Sequence, residues 1–372
     1  MTNINLISGP AGGETCDVVS AVYESAPAPE PTSTRLADLT TLRVGGPARR
    51  IVMARTSDEL VSSVRDADAR GEPVLLLGAG SNVVVSDDGF DGVVVVVGTR
   101  GLTGEVSDCA GAFITVAAGE PWDRVVVHAL AQEWIGFETL SGIPGSTGAT
   151  PIQNVGAYGA DVSQTIARVR TWDRTVGKHV TFAASDCGFG YRSSRFKEEP
   201  GRYVVVDVSF QLELGPLSAP IRYAELASAL GIEVGQRAPL GRVRDAVLAL
   251  RRSKGMVLDA QDHDTWSAGS FFTNPLLPAE AAARLPDGAP RYTQPDGTVK
   301  TSAAWLIEHA GFGRGYGSGP AKLSGKHALA LTNRGEATAE DVLRLARDIR
   351  KGVREHSGVT LDPEPVLVGC DL

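Results

Sequence analysis

Cysteine is scarce in this chain, and what there is lies scattered: Cys16, Cys109, Cys187 and Cys370 are the only four among 372 residues. No C-x-x-C pair and no metal-type spacing occurs, so no metal site is expected and the thiols read as reduced. Long apolar runs are missing as well. The valine run at 93–97 has strand length, and no segment approaches the span of a bilayer. Basic residues are absent until Arg35, and no apolar core precedes it, so a signal peptide is not expected. Residues 8–34 hold four prolines, several glycines and only acidic charge, from Glu14 to Glu30. Residues 1–35 are therefore expected to be a flexible extension.

The rest of the composition is ordinary. The chain is 42% hydrophobic and 22% charged, which fits a soluble cytoplasmic protein with material for two or three domains. A net charge of -8 and a pI near 5.4 exclude a broad surface for nucleic acid or anionic membrane. A small-molecule substrate, no nucleic acid, no membrane insertion and a monomeric state are the expectations.

Ordered sequence begins near Leu36. A strand at 50–57 is expected to end at Ser57 as N-cap of a helix running to Arg70, with Asp58 and Glu59 in its first turn and Gly71 as its stop. PVLLLG at 73–78 then reads as a buried strand delivering the chain into the glycine turn GAGSN at 78–82. Strand patterns dominate 92–211, interrupted by a helix at 121–134 that opens on Pro121. Residues 239–253 place Val243, Val247 and Leu250 on one helical face with arginines opposite. A short helix is expected at 303–308. The last helix starts at Thr338, where Asp341 makes a capping-box-like pattern, and strand-like VLVG at 366–369 closes the chain. The result is a mixed α+β fold with more than one sheet.

Residues 142–160, GIPGSTGATPIQNVGAYGA, are the stretch least suited to regular structure. Five glycines and two prolines break up the segment and almost nothing there is charged. Such a loop, apolar enough to be buried, needs acceptors for its peptide N–H groups, and a bound cofactor would supply them. GAGSN follows a strand as phosphate-binding loops do, but lacks the Lys-Ser/Thr of a P-loop. It does not complete G-x-G-x-x-G either, because the third glycine falls on Val83. Two glycine-rich loops sixty residues apart point to a pyrophosphate held between them.

Three further segments are ambiguous one by one. YRSSRFK at 191–197 is aromatic and basic, and reads equally as a solvated sheet edge. AGSFFTNP at 268–275 sets Ser270 and Asn274 around two phenylalanines, where a serine is more often simply satisfied than catalytic. LDPEPVLVG at 361–369 carries Glu364 between prolines; a carboxyl entering apolar surroundings would hold its proton more tightly, but a surface turn is the alternative.

With GGPA at 45–48 and LGAGSNVVVSDDGFDGVVV at 77–95, these segments occur in one order and resemble the UDP-N-acetylenolpyruvoylglucosamine reductases over roughly residues 36–372. The resemblance implies an α+β fold: a two-subdomain FAD-binding region of the vanillyl-alcohol-oxidase type and a C-terminal α+β substrate-binding domain. Its expected divisions are 36–98 (with 358–372 packing back), 99–235 and 236–357. It implies noncovalent FAD held by Gly78, Ala79, Gly80, Ser81, Asn82, Ile143, Gly145, Ser146, Gly148, Gln153, Asn154, Gly156, Ala157 and Tyr158. No histidine or cysteine stands at Arg43–Pro47, where related oxidases attach flavin covalently.

The implied reaction is NADPH-dependent reduction of UDP-N-acetylglucosamine enolpyruvate to UDP-N-acetylmuramate, a peptidoglycan precursor. Ser270 resembles the proton donor, and Arg192 and Glu364 match the residues that stabilise the enolic intermediate. Tyr223 matches the tyrosine covering the substrate diphosphate in the longer-loop subclass. Lys254 and Asn274 match contacts to the diphosphate and uridine portion, and Arg314 and His327 match further substrate contacts. Two rivals remain: a sugar or alcohol oxidase of the same FAD-binding fold, and a catalytically silent binding protein. The missing covalent-attachment residue disfavours the first, and the joint presence of Arg192, Ser270 and Glu364 the second.

Overall fold

The computed structural model describes residues 17–372. Residues 1–16, with Cys16 and the start of the expected extension, lie outside the described residues. The chain divides into two compact units. One comprises residues up to 32, 50–79 and 92–252; the other comprises 33–49, 80–91 and 253–372.

The first unit is built on a seven-stranded antiparallel sheet. Its order is Val19–Tyr23, Leu102–Ser107, Gly111–Ala117, Tyr203–Leu214, Ile166–Asp173 and Lys178–Ala183, with Trp134–Ile135 also pairing to Tyr203–Leu214. The alternation in GAFITVA explains its strand: Ala112, Ile114 and Val116 face the core while their neighbours are half-exposed. Tyr203–Leu214 lacks such alternation because both its faces are covered. Val205, Val208 and Phe210 join one cluster, and Val204 joins another with Ala54, Leu60 and Val64.

In the larger cluster Trp122, Phe137 and Phe210 pack at centroid separations of 4.9, 5.0 and 5.9 Å. Each buried ring of this kind contributes about 1.5–3 kcal/mol by removal from water. Val74–Leu77 pairs in parallel with residues 93–96, and the helix Ser57–Ala69 covers them. Its N-cap is Thr56, not Ser57: the Thr56 hydroxyl accepts the Glu59 N–H at 3.1 Å.

Residues 19–23 correct the expectation of a flexible extension, since they are a paired strand. Their half-buried positions alternate, and Tyr23 stacks on His128 at 4.7 Å, which supplies the partner surface that composition cannot reveal. Cys109 is disulfide-bonded, which corrects the expectation of reduced thiols throughout, because linear spacing carries no information on proximity. Cys187 and Cys370 are free, and burial pushes the Cys187 thiol up to about 12.

The second unit packs the helices Ala303–His309 and Ala339–Ser357 around Phe271, Phe272, Leu42, Val44 and Val84. The longer helix opens as its sequence suggested. Thr338 accepts the Asp341 N–H at 3.1 Å, and Asp341 accepts the Thr338 N–H at 3.0 Å. Val366–Val368 pairs in parallel with Val83–Val85.

Candidate functional site

In the first unit, the 142–160 segment is more regular than its composition suggests. It contains the short helix Thr150–Gln153 and the two-residue strands Gly156–Ala157 and Ala160–Asp161. Asn154 and Tyr158 adopt left-handed backbone, at φ 42° and 51°.

The backbone at 118–122 acts as its template. Gly148 N–H donates to Ala118 O at 2.7 Å, Thr147 N–H to Glu120 O at 2.8 Å, and Trp122 N–H to Gly145 O at 3.0 Å. Gly142 N–H donates to Asp123 at 2.6 Å. Much of the acceptor demand inferred for the loop is thus met by the protein itself, which weakens that particular argument for a cofactor.

The start of the GAGSN turn, Gly78, meets this loop within the unit. A Cβ on Gly78 would lie 2.4 Å from the Ser146 Oγ, so a side chain there requires the Ser146 hydroxyl to turn aside. Bare backbone at such a junction suits a bulky polyanion such as a dinucleotide diphosphate.

YRSSRFK is a clasp on the loop, and the reading of it as a solvated edge is set aside. Arg192 donates to Gly156 O at 3.0 Å and to Asn154 O at 3.4 Å. The Asn154 amide donates to Gly190 O at 2.9 Å, and Ser194 to Ile152 O at 2.8 Å. Lys197 ties Gln153 at 3.1 Å to the Arg192 carbonyl at 2.9 Å. The Arg192 backbone is itself left-handed, at φ 51°, and these bonds over-determine it.

Three groups near the loop were not recognised from sequence. Arg244 grips Asp123, and Arg251 lies within electrostatic range of Arg192 and of the Tyr158 hydroxyl. Burial pushes the Arg251 guanidinium down to about 10, opposed by Tyr158 and Asp123. The sequence pattern sets arginines opposite the apolar stripe; Arg244 instead faces Asp123, and both Arg244 and Arg251 are half-buried beside that stripe. Glu120, fully buried, is the third. Burial also pushes the Tyr158 hydroxyl up to about 12, and its ring meets Tyr223 edge-on at 5.6 Å. Tyr223 is exposed.

The second unit holds the remaining candidates. Gly80 has φ 62°, and a Cβ there would sit 2.0 Å from Leu39 O. Asn82 donates its amide to Glu364 O at 3.4 Å, and Val366 N–H returns to Asn82 O at 3.0 Å. Glu364 N–H donates to Phe271 O at 2.8 Å, and Phe271 N–H to Leu329 O at 2.7 Å. Ser270 and Glu364 are therefore placed on neighbouring segments, and Asn82 is linked to the same strand. Both residues are half-buried.

Thr41 secures the approach to Ser270 by donating to Ser267 O at 2.7 Å, and Arg43 stacks over Trp266 at 3.6 Å. His327 accepts the Leu329 N–H on Nδ1 at 3.1 Å. Asn274 accepts the Ala303 N–H at 2.9 Å, which occupies its carbonyl at a helix start. Arg314 is largely exposed, and Lys254 is half-buried. Arg192 belongs to the first unit, whereas Ser270, Glu364, Lys254, Asn274, Arg314 and His327 belong to the second.

Residues 261–368 match the family model described as UDP-N-acetylenolpyruvoylglucosamine reductase, C-terminal domain, and residues 48–183 match an FAD binding domain. The UDP-N-acetylenolpyruvoylglucosamine reductase of Cutibacterium acnes is 62% identical over 340 residues, covering 91% of this chain and 90% of that protein. The chain belongs to the UDP-N-acetylenolpyruvoylglucosamine reductase family.

The reductase of Salinispora arenicola is 56% identical over 347 residues, covering 91% of this chain and 95% of its own. The crystal structure of the reductase from Thermus caldophilus aligns with a TM-score of 0.62 at 25% identity, covering 94% of this chain and 99% of that one. The α+β fold with an FAD-binding region and a reductase C-terminal domain is thereby established, and the protein is an FAD-containing oxidoreductase of peptidoglycan synthesis. Among the described residues no helix is long and apolar enough to cross a membrane.

Proposed function

We propose that this chain is the cytoplasmic, NADPH-dependent reductase of UDP-N-acetylglucosamine enolpyruvate, yielding UDP-N-acetylmuramate. The observation that supports the proposal most is the backbone bond from Glu364 N–H to Phe271 O at 2.8 Å, which joins the segments that carry Glu364 and Ser270.

Gly78, Ala79, Gly80, Ser81 and Asn82, with Ile143, Gly145, Ser146, Gly148, Gln153, Asn154, Gly156, Ala157 and Tyr158, would hold FAD noncovalently. When bound, the flavin supplies hydride taken from NADPH to the enolpyruvyl β-carbon. The chain's own residues manage the charge and the proton. Arg192 supplies fixed positive charge to the substrate carboxylate as electron density moves onto it. Glu364, in its acid form, donates a hydrogen bond to the developing enediolate. Ser270 delivers a proton to the α-carbon, a task that a weak acid performs only against a strongly basic carbon and under tight positioning. Tyr223 covers the diphosphate, with Lys254, Asn274, Arg314 and His327 as further substrate contacts.

The test is a separation of half-reactions in Ser270→Ala. Reduction of the flavin by NADPH should remain within about twofold of the parent, while reoxidation by the enolpyruvyl substrate falls by about a hundredfold or more, the range of a lost general acid. Equal loss in both halves would remove the role given to Ser270.

A further inference from the structure

The segment at 17–30 lies outside the motifs that carry the reaction, yet it is wired to the candidate cofactor loop. Val19–Tyr23 pairs with Leu102–Ser107, from Val19 opposite Val106 to Tyr23 opposite Leu102. Two residues further on, the Ser25 hydroxyl donates to Glu120 Oε1 at 2.5 Å. Gly101 N–H donates to Oε2 of the same carboxylate at 2.9 Å. Glu120 is 0% exposed, so these donors replace the water its charge would otherwise need. The Arg100 guanidinium contributes favourable charge nearby. On its backbone side, Glu120 O accepts both the N–H of Thr147 at 2.8 Å and its hydroxyl at 3.0 Å. Gly148 N–H is held at 2.7 Å by Ala118 O, two residues earlier. Beyond Ser25, Ala28 is buried and Glu30 pairs with Arg55 at 2.5 Å.

We propose that residues 17–30 form a strap that positions the 145–148 loop for FAD, with Ser25 and Glu120 as positioning residues acting through Thr147. The proposal rests on the reading of that loop as cofactor-holding. If Ser25 loses its hydroxyl, a buried carboxylate keeps one fewer donor, and residue 120 is free to shift with the loop it templates. A second carboxylate at position 25 would repel Glu120 and displace the strap further.

The experiment uses the full-length protein and its Ser25→Ala, Ser25→Asp and Ser25→Thr variants. Two quantities are read: the FAD dissociation constant by flavin fluorescence, and amide hydrogen exchange at Thr147 and Gly148 relative to the central strand Tyr203–Leu214. For Ser25→Asp we expect exchange at 147–148 to quicken and FAD affinity to fall, each by about tenfold, because the donor to Glu120 is lost and a second carboxylate faces it. Ser25→Ala should show the same changes to a smaller degree, and Ser25→Thr should match the parent because it keeps the donor. Unchanged exchange at 147–148 in both Ser25→Ala and Ser25→Asp would overturn the strap. Loss of protection spread equally over Tyr203–Leu214 would overturn it too, since that marks general destabilisation. A parent protein that binds no FAD would defeat the cofactor reading instead, while the exchange measurement would still judge the strap.

Discussion

The Arg244 guanidinium holds Asp123 with two bonds, Nη1 to Oδ1 at 2.7 Å and Nη2 to Oδ2 at 2.8 Å. The same carboxylate accepts the Gly142 N–H at 2.6 Å, so one ion pair joins the helix Leu240–Ser253 to the entrance of the 142–160 loop. Arg244→Ala should loosen that entrance. With the Asp123 side chain 39% exposed, the expected loss is only about 1 kcal/mol of unfolding free energy by urea titration. FAD affinity should fall by severalfold more than stability alone explains, and a variant with parental FAD affinity would detach this ion pair from the loop.

Acid should act on the same group. Burial by itself would raise the Asp123 carboxyl, but Arg244 and the Gly142 N–H outweigh it and hold the group below its ordinary value. A depressed folded value means that the stabilisation is complete above the unfolded value of about 3.9 and is lost as pH falls through the folded one. Asp123→Asn should therefore be less stable than the parent at neutral pH, with the gap narrowing below pH 4. A gap that stayed constant with pH would contradict the assignment.

Gly78 should tolerate no side chain unless Ser146 yields. Gly78→Ala places a Cβ 2.4 Å from the Ser146 Oγ and 3.4 Å from its Cβ, so removal of that oxygen should relieve the clash. In a double-mutant cycle, Ser146→Ala should recover at least about 1 kcal/mol of what Gly78→Ala loses, the coupling expected of touching residues. Additive losses would show that the Ser146 hydroxyl does not obstruct a side chain at position 78. Gly80→Ala should be worse, because its 2.0 Å conflict is with the Leu39 carbonyl, which is backbone.

How much of this was legible in sequence depends on the range of the interaction. The capping box at Thr338 and the buried alternation of Ala112, Ile114 and Val116 are local patterns, and both are realised. The Thr56 cap was displaced by one residue because Thr-Ser offers two adjacent candidates. Interactions that reach across the chain left no such trace. Ser25 and Glu120 are 95 residues apart, Arg244 and Asp123 are 121 apart, and neither pair forms a motif. Arg244 and Arg251 escape a periodicity reading because it identifies the apolar stripe but not the fate of the positions flanking it, which are half-buried here while Arg242, Asp245 and Arg252 on the opposite face stay exposed. The segments of Arg192, Ser270 and Glu364 stand out in the sequence but are ambiguous one by one; the roles of the three residues come from resemblance alone.

Arg192→Lys gives a graded test of the clasp. Lysine keeps the charge but cannot span both Asn154 O and Gly156 O with a planar fork. Reoxidation of the reduced flavin by the enolpyruvyl substrate should slow by about tenfold or more, with NADPH-driven reduction affected much less. Stopped-flow measurement of each half-reaction decides it, and parental rates in both would release Arg192 from its role.

The central claim is tested most directly by following flavin absorbance anaerobically through two additions. NADPH should bleach the bound FAD, and UDP-N-acetylglucosamine enolpyruvate should then restore its colour with formation of one equivalent of UDP-N-acetylmuramate. A reduced flavin that stays bleached when the enolpyruvyl substrate is added would contradict the reductase assignment, and bleaching of the oxidised flavin by a sugar in the absence of NADPH would favour an oxidase.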